Sequence, residues 1–152
     1  MKNEKGVTLV ELLVVILVMG IIIVPISNLV IITLKTEKEV SIKNDVQREA
    51  RLIMEYVTEK MRDNNITWYQ SNDGSGSMKL IDGSNKKVLL EYEERAGSKG
   101  MIKKDGIVLS ENIKEFIVSG HENPLKVKLI IEKSGFAFEL KSEVIRERRF
   151  EY

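Results

Sequence analysis

The chain has 152 residues, 43% of them hydrophobic and 31% charged, with a net charge of +1 and no cysteine. That length holds one domain with at most an appendage. The absence of cysteine excludes a disulfide framework, a thiolate metal site and a cysteine nucleophile, and near-neutrality removes the electrostatic ground for general nucleic-acid binding.

The hydrophobic residues are unevenly spread. From Val7 to Leu34, 21 of 28 residues are apolar, against 43 of the 118 from Lys35 onward. Leu12 to Leu34 gives 23 residues without a charge, enough for a helix across a bilayer core, which needs about 20 residues. A cleavable secretory signal fits poorly. Its apolar region is shorter and ends at small residues, whereas here Lys35-Thr36-Glu37-Lys38 follows the run. Lys2 and Lys5 on one side and Lys35 and Lys38 on the other nearly balance the positive-inside rule. The short N-terminal flank favours a cytoplasmic N-terminus with the bulk of the chain outside.

Glu11 stands at the edge of the apolar run. A carboxylate deep in a bilayer costs about 2.5–3.5 kcal/mol on insertion scales, so it either marks the interface or takes a cationic partner. Gly20 and Pro25 interrupt the run. Proline removes one helical hydrogen bond and glycine weakens helix propensity, so residues 20–25 are expected to be pliable.

Lys5-Gly6-Val7-Thr8-Leu9-Val10-Glu11-Leu12-Leu13-Val14 resembles the prepilin processing site of type IV pilins and type II secretion pseudopilins. The family pattern is a short charged leader ending in glycine, a hydrophobic residue, Thr, Leu, an aliphatic residue, Glu and an apolar helix. Val7 stands where the family most often has Phe. Gly20 matches its usual helix glycine, and Pro25 falls a few residues before its usual proline. The resemblance implies cleavage between Gly6 and Val7 by a prepilin peptidase, N-methylation of Val7, and pairing of Glu11 with the N-terminal ammonium of a neighbouring subunit. It also implies other pilin or pseudopilin subunits, an inner-membrane assembly platform and the cytoplasmic membrane as partners. The physics agrees: cleavage creates an amine in the same layer as Glu11, and staggered subunits can pair two charges that each carry a penalty alone.

Beyond the apolar run, Val46, Ala50, Ile53, Met54, Val57 and Met61 recur mostly at spacings of three and four, an amphipathic stripe. No Gly or Pro falls within residues 26–63, and Asn64-Asn65 makes a stop. The expected helix is Val7–Asp63, 57 residues, or roughly 85 Å. Ile66–Gln70, Val88–Glu93, Met101–Lys103, Ile107–Leu109, Ile113–Val118, Leu125–Glu132 and Phe136–Leu140 read as strands. Lys104-Asp105-Gly106 signals a hairpin, Lys133-Ser134-Gly135 a turn, and Ser71–Ser77 a flexible loop. The fold class is α+β: a long N-terminal helix, transmembrane in its first half, on an antiparallel sheet of five to seven strands, pilin-like. The organisation is a leader at 1–6, a transmembrane or filament-core helix at 7–34, an amphipathic helix at 35–65 and a β-rich domain at 66–152.

Gln47-Arg48-Glu49-Ala50-Arg51, the late hairpins and Arg146-Glu147-Arg148-Arg149 resemble minor pilins and J-type, PilW-like pseudopilins. The family often closes a C-terminal loop with a disulfide, so any such loop here is held otherwise. No catalytic, metal or cofactor site is expected. His121 is the one histidine and sits in a turn-like stretch. No GxxxxGK occurs. Turn formation explains Asp73, Asp82 and Asp105, each followed by glycine, and the EF-hand spacing for calcium is absent. Trp68, Tyr69, Tyr92, Phe116, Phe136 and Phe138 are expected in the core.

The leading expectation is a minor pilin or pseudopilin subunit, not an enzyme, serving adhesion, motility, secretion or DNA uptake at the cell surface. Two alternatives remain. One is a competence-type pseudopilin contacting DNA through Lys86, Lys87, Lys103, Lys104, Arg146, Arg148 and Arg149. The other is a single-span anchored extracytoplasmic protein that never polymerises.

Overall fold

The computed structural model describes residues 8–70, 76–95, 98–120 and 124–146. One helix, α1 (Leu9–Met61), precedes seven strands: β1 (Ile66–Gln70), β2 (Met78–Asp82), β3 (Val88–Glu93), β4 (Gly100–Lys104), β5 (Ile107–Ser119), β6 (Leu125–Lys133) and β7 (Phe136–Val144). By internal contacts the chain divides after Ser41, and residues 42–152 form one compact unit.

In the first unit, the apolar residues of α1 from Leu9 to Leu34 are all exposed. Polar side chains in and just after this run are satisfied along the helix. The hydroxyls of Ser27, Thr33 and Thr36 donate to the carbonyls of Ile23, Leu29 and Ile32 at 2.9, 2.8 and 3.0 Å. Such back-bonding is what an apolar solvent demands of a hydroxyl.

In the second unit, the helical stripe Val46, Ala50, Ile53, Met54, Val57 and Met61 is buried. It shares one core with Leu80, Leu90, Ile102, Ile113, Leu129 and Ile131 of the sheet. The seven strands form a single antiparallel meander in chain order, so this is an α+β, pilin-like fold. β6 alternates as its sequence requires: Leu125, Val127, Leu129 and Ile131 are buried while Lys126 is exposed. Two-residue hairpins carry positive φ at both positions, Asp105 and Gly106 at 48° and 81° and Ser134 and Gly135 at 52° and 80°. Both are therefore the primed turn that matches strand twist.

The helix is shorter than the expected Val7–Asp63. Val7 lies outside the described residues. At the other end, Arg62 and Asp63 bond to the carbonyls of Glu59 and Lys60, three residues back, at 3.3 and 3.1 Å. The Asp63 carboxylate then takes the Asn65 N–H at 2.9 Å. The tightened last turn and this local competition end the helix at Met61. β2 was not expected from the sequence. Ile107–Leu109 and Ile113–Val118 are one strand, because β5 pairs with β4 from Ile107 to Ile113, with register shifts, and with β6 from Ile113 to Ser119. Tyr69 is 60% exposed, contrary to its expected core position, because it lies on the outward side of short β1.

The outward sheet face is a lattice of cross-strand ion pairs. Lys79 meets Glu91 and Lys103 meets Glu93, each at 2.7 Å, and Lys128 joins Glu115 and Glu139. Hydrogen bonding to Lys87, Lys114 and Lys141 holds the carboxyls of Asp105, Glu132 and Glu139 below their ordinary range, and that of Asp82 is held down by Ser84. The ammoniums of Lys79, Lys87 and Lys128 are raised by hydrogen bonds to Glu91, Asp105 and Glu115. A depressed acid contributes stability that is lost as pH falls through its folded pKa, and a raised lysine loses its contribution as pH rises through its own. The denaturation midpoint of the full-length protein in detergent should thus be flat from about pH 5 to pH 9 and fall on both sides. A midpoint still rising on acidification below that window would overturn this reading.

Arg146, just past β7, closes the domain. Its Nε donates to the Met61 carbonyl at 2.9 Å and its Nη2 to the Ile66 carbonyl at 2.8 Å. One guanidinium therefore holds the end of β7 to the C-terminus of α1 and the start of β1. It supplies the non-covalent closure that a cysteine-free chain needs, and it satisfies a terminal helix carbonyl. Arg146→Ala should cost about 1–3 kcal/mol in denaturant titration, and Arg146→Lys should recover only part, since a lysine lacks the planar fork.

Candidate functional site: the start of the N-terminal helix

Thr8 is the N-cap of α1. Its hydroxyl accepts the Glu11 N–H at 3.3 Å and its carbonyl accepts the Leu12 N–H at 3.1 Å. Thr8-x-x-Glu11 is the spacing of a capping box, and Thr8 begins the helix. Glu11 occupies the third helical position, where the positive end of the helix dipole favours a carboxylate. It is exposed among Leu9, Val10 and Leu12, and among the described residues its carboxylate forms no ion pair.

Gly6 and Val7 lie outside the described residues. Gly20 and Pro25 lie inside α1, which continues through both. Pro25 has no N–H to give the Ile21 carbonyl. A Cβ placed on Gly20 would meet nothing within 4 Å, so no packing within the chain requires a glycine there. These positions share one helix but do not converge: at 1.5 Å per residue, Glu11 and Pro25 are about 21 Å apart along it.

The Thr8 cap is marked in the sequence by the Thr8-x-x-Glu11 spacing, which overlaps the residues of the processing motif. The Arg146 clamp was not legible. Arg146, which belongs to the alternative DNA-contacting set, is engaged by two carbonyls. Of the other residues in that set, Lys87 meets Asp105 at 2.7 Å, Lys103 meets Glu93, and Lys104 stands over the Tyr56 ring at 4.2 Å. Arg148, Arg149 and His121 lie outside the described residues, as does Asp73. Among the described residues, no three His, Cys, Asp or Glu side chains group as metal ligands would.

A helix capped by Thr8, whose exposed apolar part is long enough to cross a membrane, followed by an antiparallel sheet, gives a pilin-like fold and fits a membrane-anchored protein. Residues 1–27 match the family described as the prokaryotic N-terminal methylation motif. That match supports a type IV pilin or pseudopilin precursor, a family of structural subunits. Neither the curated proteins nor the solved structures gave a match for this chain.

Proposed function

We propose that this chain is the precursor of a minor type IV pilin or pseudopilin. A prepilin peptidase cuts between Gly6 and Val7, and Val7 is then N-methylated. The anchored subunit holds its N-terminus cytoplasmic and residues 35–152 outside until the assembly platform passes it into a pilus or pseudopilus with other subunits. The observation that carries this reading is the N-terminal methylation motif, with Glu11, which forms no ion pair among the described residues, in the first turn of a helix whose apolar residues are exposed.

The chemistry supports each step. Removing the leader frees an ammonium immediately before the Thr8 cap, at the positive end of the helix, where a cation is disfavoured. A neighbour's Glu11 relieves it, and the same pairing relieves the carboxylate. Gly20 and Pro25 loosen the helix within the segment that neighbours must cover, letting it adapt as it passes from lipid to filament. Non-repetitive loops and a domain closed by Arg146 suit a tip-proximal or priming subunit. Intact-mass and N-terminal peptide spectra of the protein recovered from membranes should give N-methylated Val7 as the first residue. Any other N-terminus overturns the processing assignment.

A further inference from the structure

Two stripes of α1 keep a constant spacing. One holds Val14, Ile21 and Asn28, and the other holds Val18, Pro25 and Ile32, each four residues further on. All six residues are exposed. Both stripes step by seven residues, so in a left-handed pair of helices each stays on the seam. One heptad above Asn28 and Ile32, the stripes end in opposite charges, Lys35 and Glu39. One heptad below Val18, the second stripe ends in Glu11. Lys35 and Glu39 are exposed and form no ion pair among the described residues, although one helical turn separates them. Their order is the reason: a cation preceding an acid by four residues is the poorer orientation on one helix. Lys35 directly follows Leu34, the last residue of the exposed apolar run. A helix covering that run brings its own charges to this level, where the lowered dielectric strengthens a pair.

We propose that Lys35 of one chain pairs with Glu39 of a second copy, the two helices lying parallel and displaced by four residues, about 6 Å. The chain carries both halves of this contact, and a common anchor in one membrane makes the helices parallel. With no displacement, Lys35 would face Lys35 of the second copy. A displacement of three residues would set Lys35 against Lys38. Four residues set cation against acid and lay the two stripes between the charges against each other, out of water or lipid. The inference rests on the pilin reading for this displacement, which is the one that lets the ammonium of Val7 reach a neighbour's Glu11 four heptads, about 42 Å, below. It adds to that reading a second charge contact and the second copy as partner.

Because the chain has no cysteine, single introduced cysteines report contacts between chains. One full-length chain carries Asn28→Cys and a second carries Ile32→Cys, and membranes holding both are oxidised with copper phenanthroline. The 28–32 bond should form at least about threefold faster than the 28–28 bond of the Asn28→Cys chain alone, as its higher effective concentration requires. Lys35→Glu in both chains should slow the 28–32 bond at least about threefold, and so should Glu39→Lys in both, since each turns an ion pair into a like-charge pair. Lys35→Glu in the Asn28→Cys chain together with Glu39→Lys in the Ile32→Cys chain should restore the rate, because the two changes then face each other. Only a contact between chains gives that rescue. Absence of rescue, indifference to either reversal, or equal 28–28 and 28–32 rates overturns the proposal. Failure of the pilin reading shows separately, as a mature N-terminus other than Val7 in mass spectra of the same membranes.

Discussion

Glu11→Ala is expected to yield a protein that is processed and held in the membrane but excluded from filaments. Two effects act in the same direction. Removing a carboxylate makes the helix more comfortable in lipid, and it also deletes the partner of a neighbour's ammonium. If the pairing recovers the roughly 2.5–3.5 kcal/mol that a charge costs in hydrocarbon, incorporation should fall roughly a hundredfold. Glu11→Gln tests the charge alone. It keeps the length and hydrogen-bonding capacity, so a filament yield near that of the parent with Gln would overturn charge pairing as the mechanism. The mature N-terminus must be measured on the same material, because loss of processing would empty the filament for a different reason. Quantifying sheared filaments against the membrane pool separates the outcomes. Unaltered incorporation of a correctly processed Ala variant is the result that sinks the assembly role of Glu11.

Ile53→Ala and Leu52→Ala, one residue apart, should behave oppositely. Ile53 is 1% exposed and faces the sheet, in one core with Ile102, Ile113 and Leu129. Leu52 points the other way, into solvent. Truncating Ile53 loses apolar burial and leaves a cavity, costing about 2–5 kcal/mol out of a domain stability of about 5–15 kcal/mol. Truncating Leu52 should fall within about 0.5 kcal/mol of the parent. Denaturant titration of the full-length proteins checks both. Comparable losses at the two positions would mean that the helical stripe from Val46 to Met61 is not what joins helix and sheet.

The element types were largely readable because their periods are strong. The three-and-four spacing from Val46 to Met61 can bury a stripe only as a helix, and the alternation from Leu125 to Ile131 can bury a face only as a strand. Asp105-Gly106 and Ser134-Gly135 announced their turns through residues that tolerate positive φ. β2 escaped because Met78-Lys79-Leu80-Ile81-Asp82 follows a glycine- and serine-rich stretch and is short. It becomes a strand by pairing with β1 and β3 on either side. The merging of two expected strands into β5 likewise depends on pairing with β4 across Ser110 and then with β6 from Ile113, which leaves no mark on local sequence.

At the candidate site, sequence and structure divide differently. The sequence alone determined the apolar helix, the lone Glu11 in it and the motif around Gly6 and Val7, because each rests on local residue chemistry and spacing. The tertiary structure decided where the charges of the domain go. Arg146 bonds to residues 85 and 80 positions away, and Lys87, Lys103 and Lys104 find partners across strands or on the helix. A one-dimensional reading leaves those cations either scattered in solvent or gathered into a patch. The fold distributes them among carbonyls, carboxylates and an aromatic ring, because buried or half-buried donors must be satisfied by whatever the chain brings beside them.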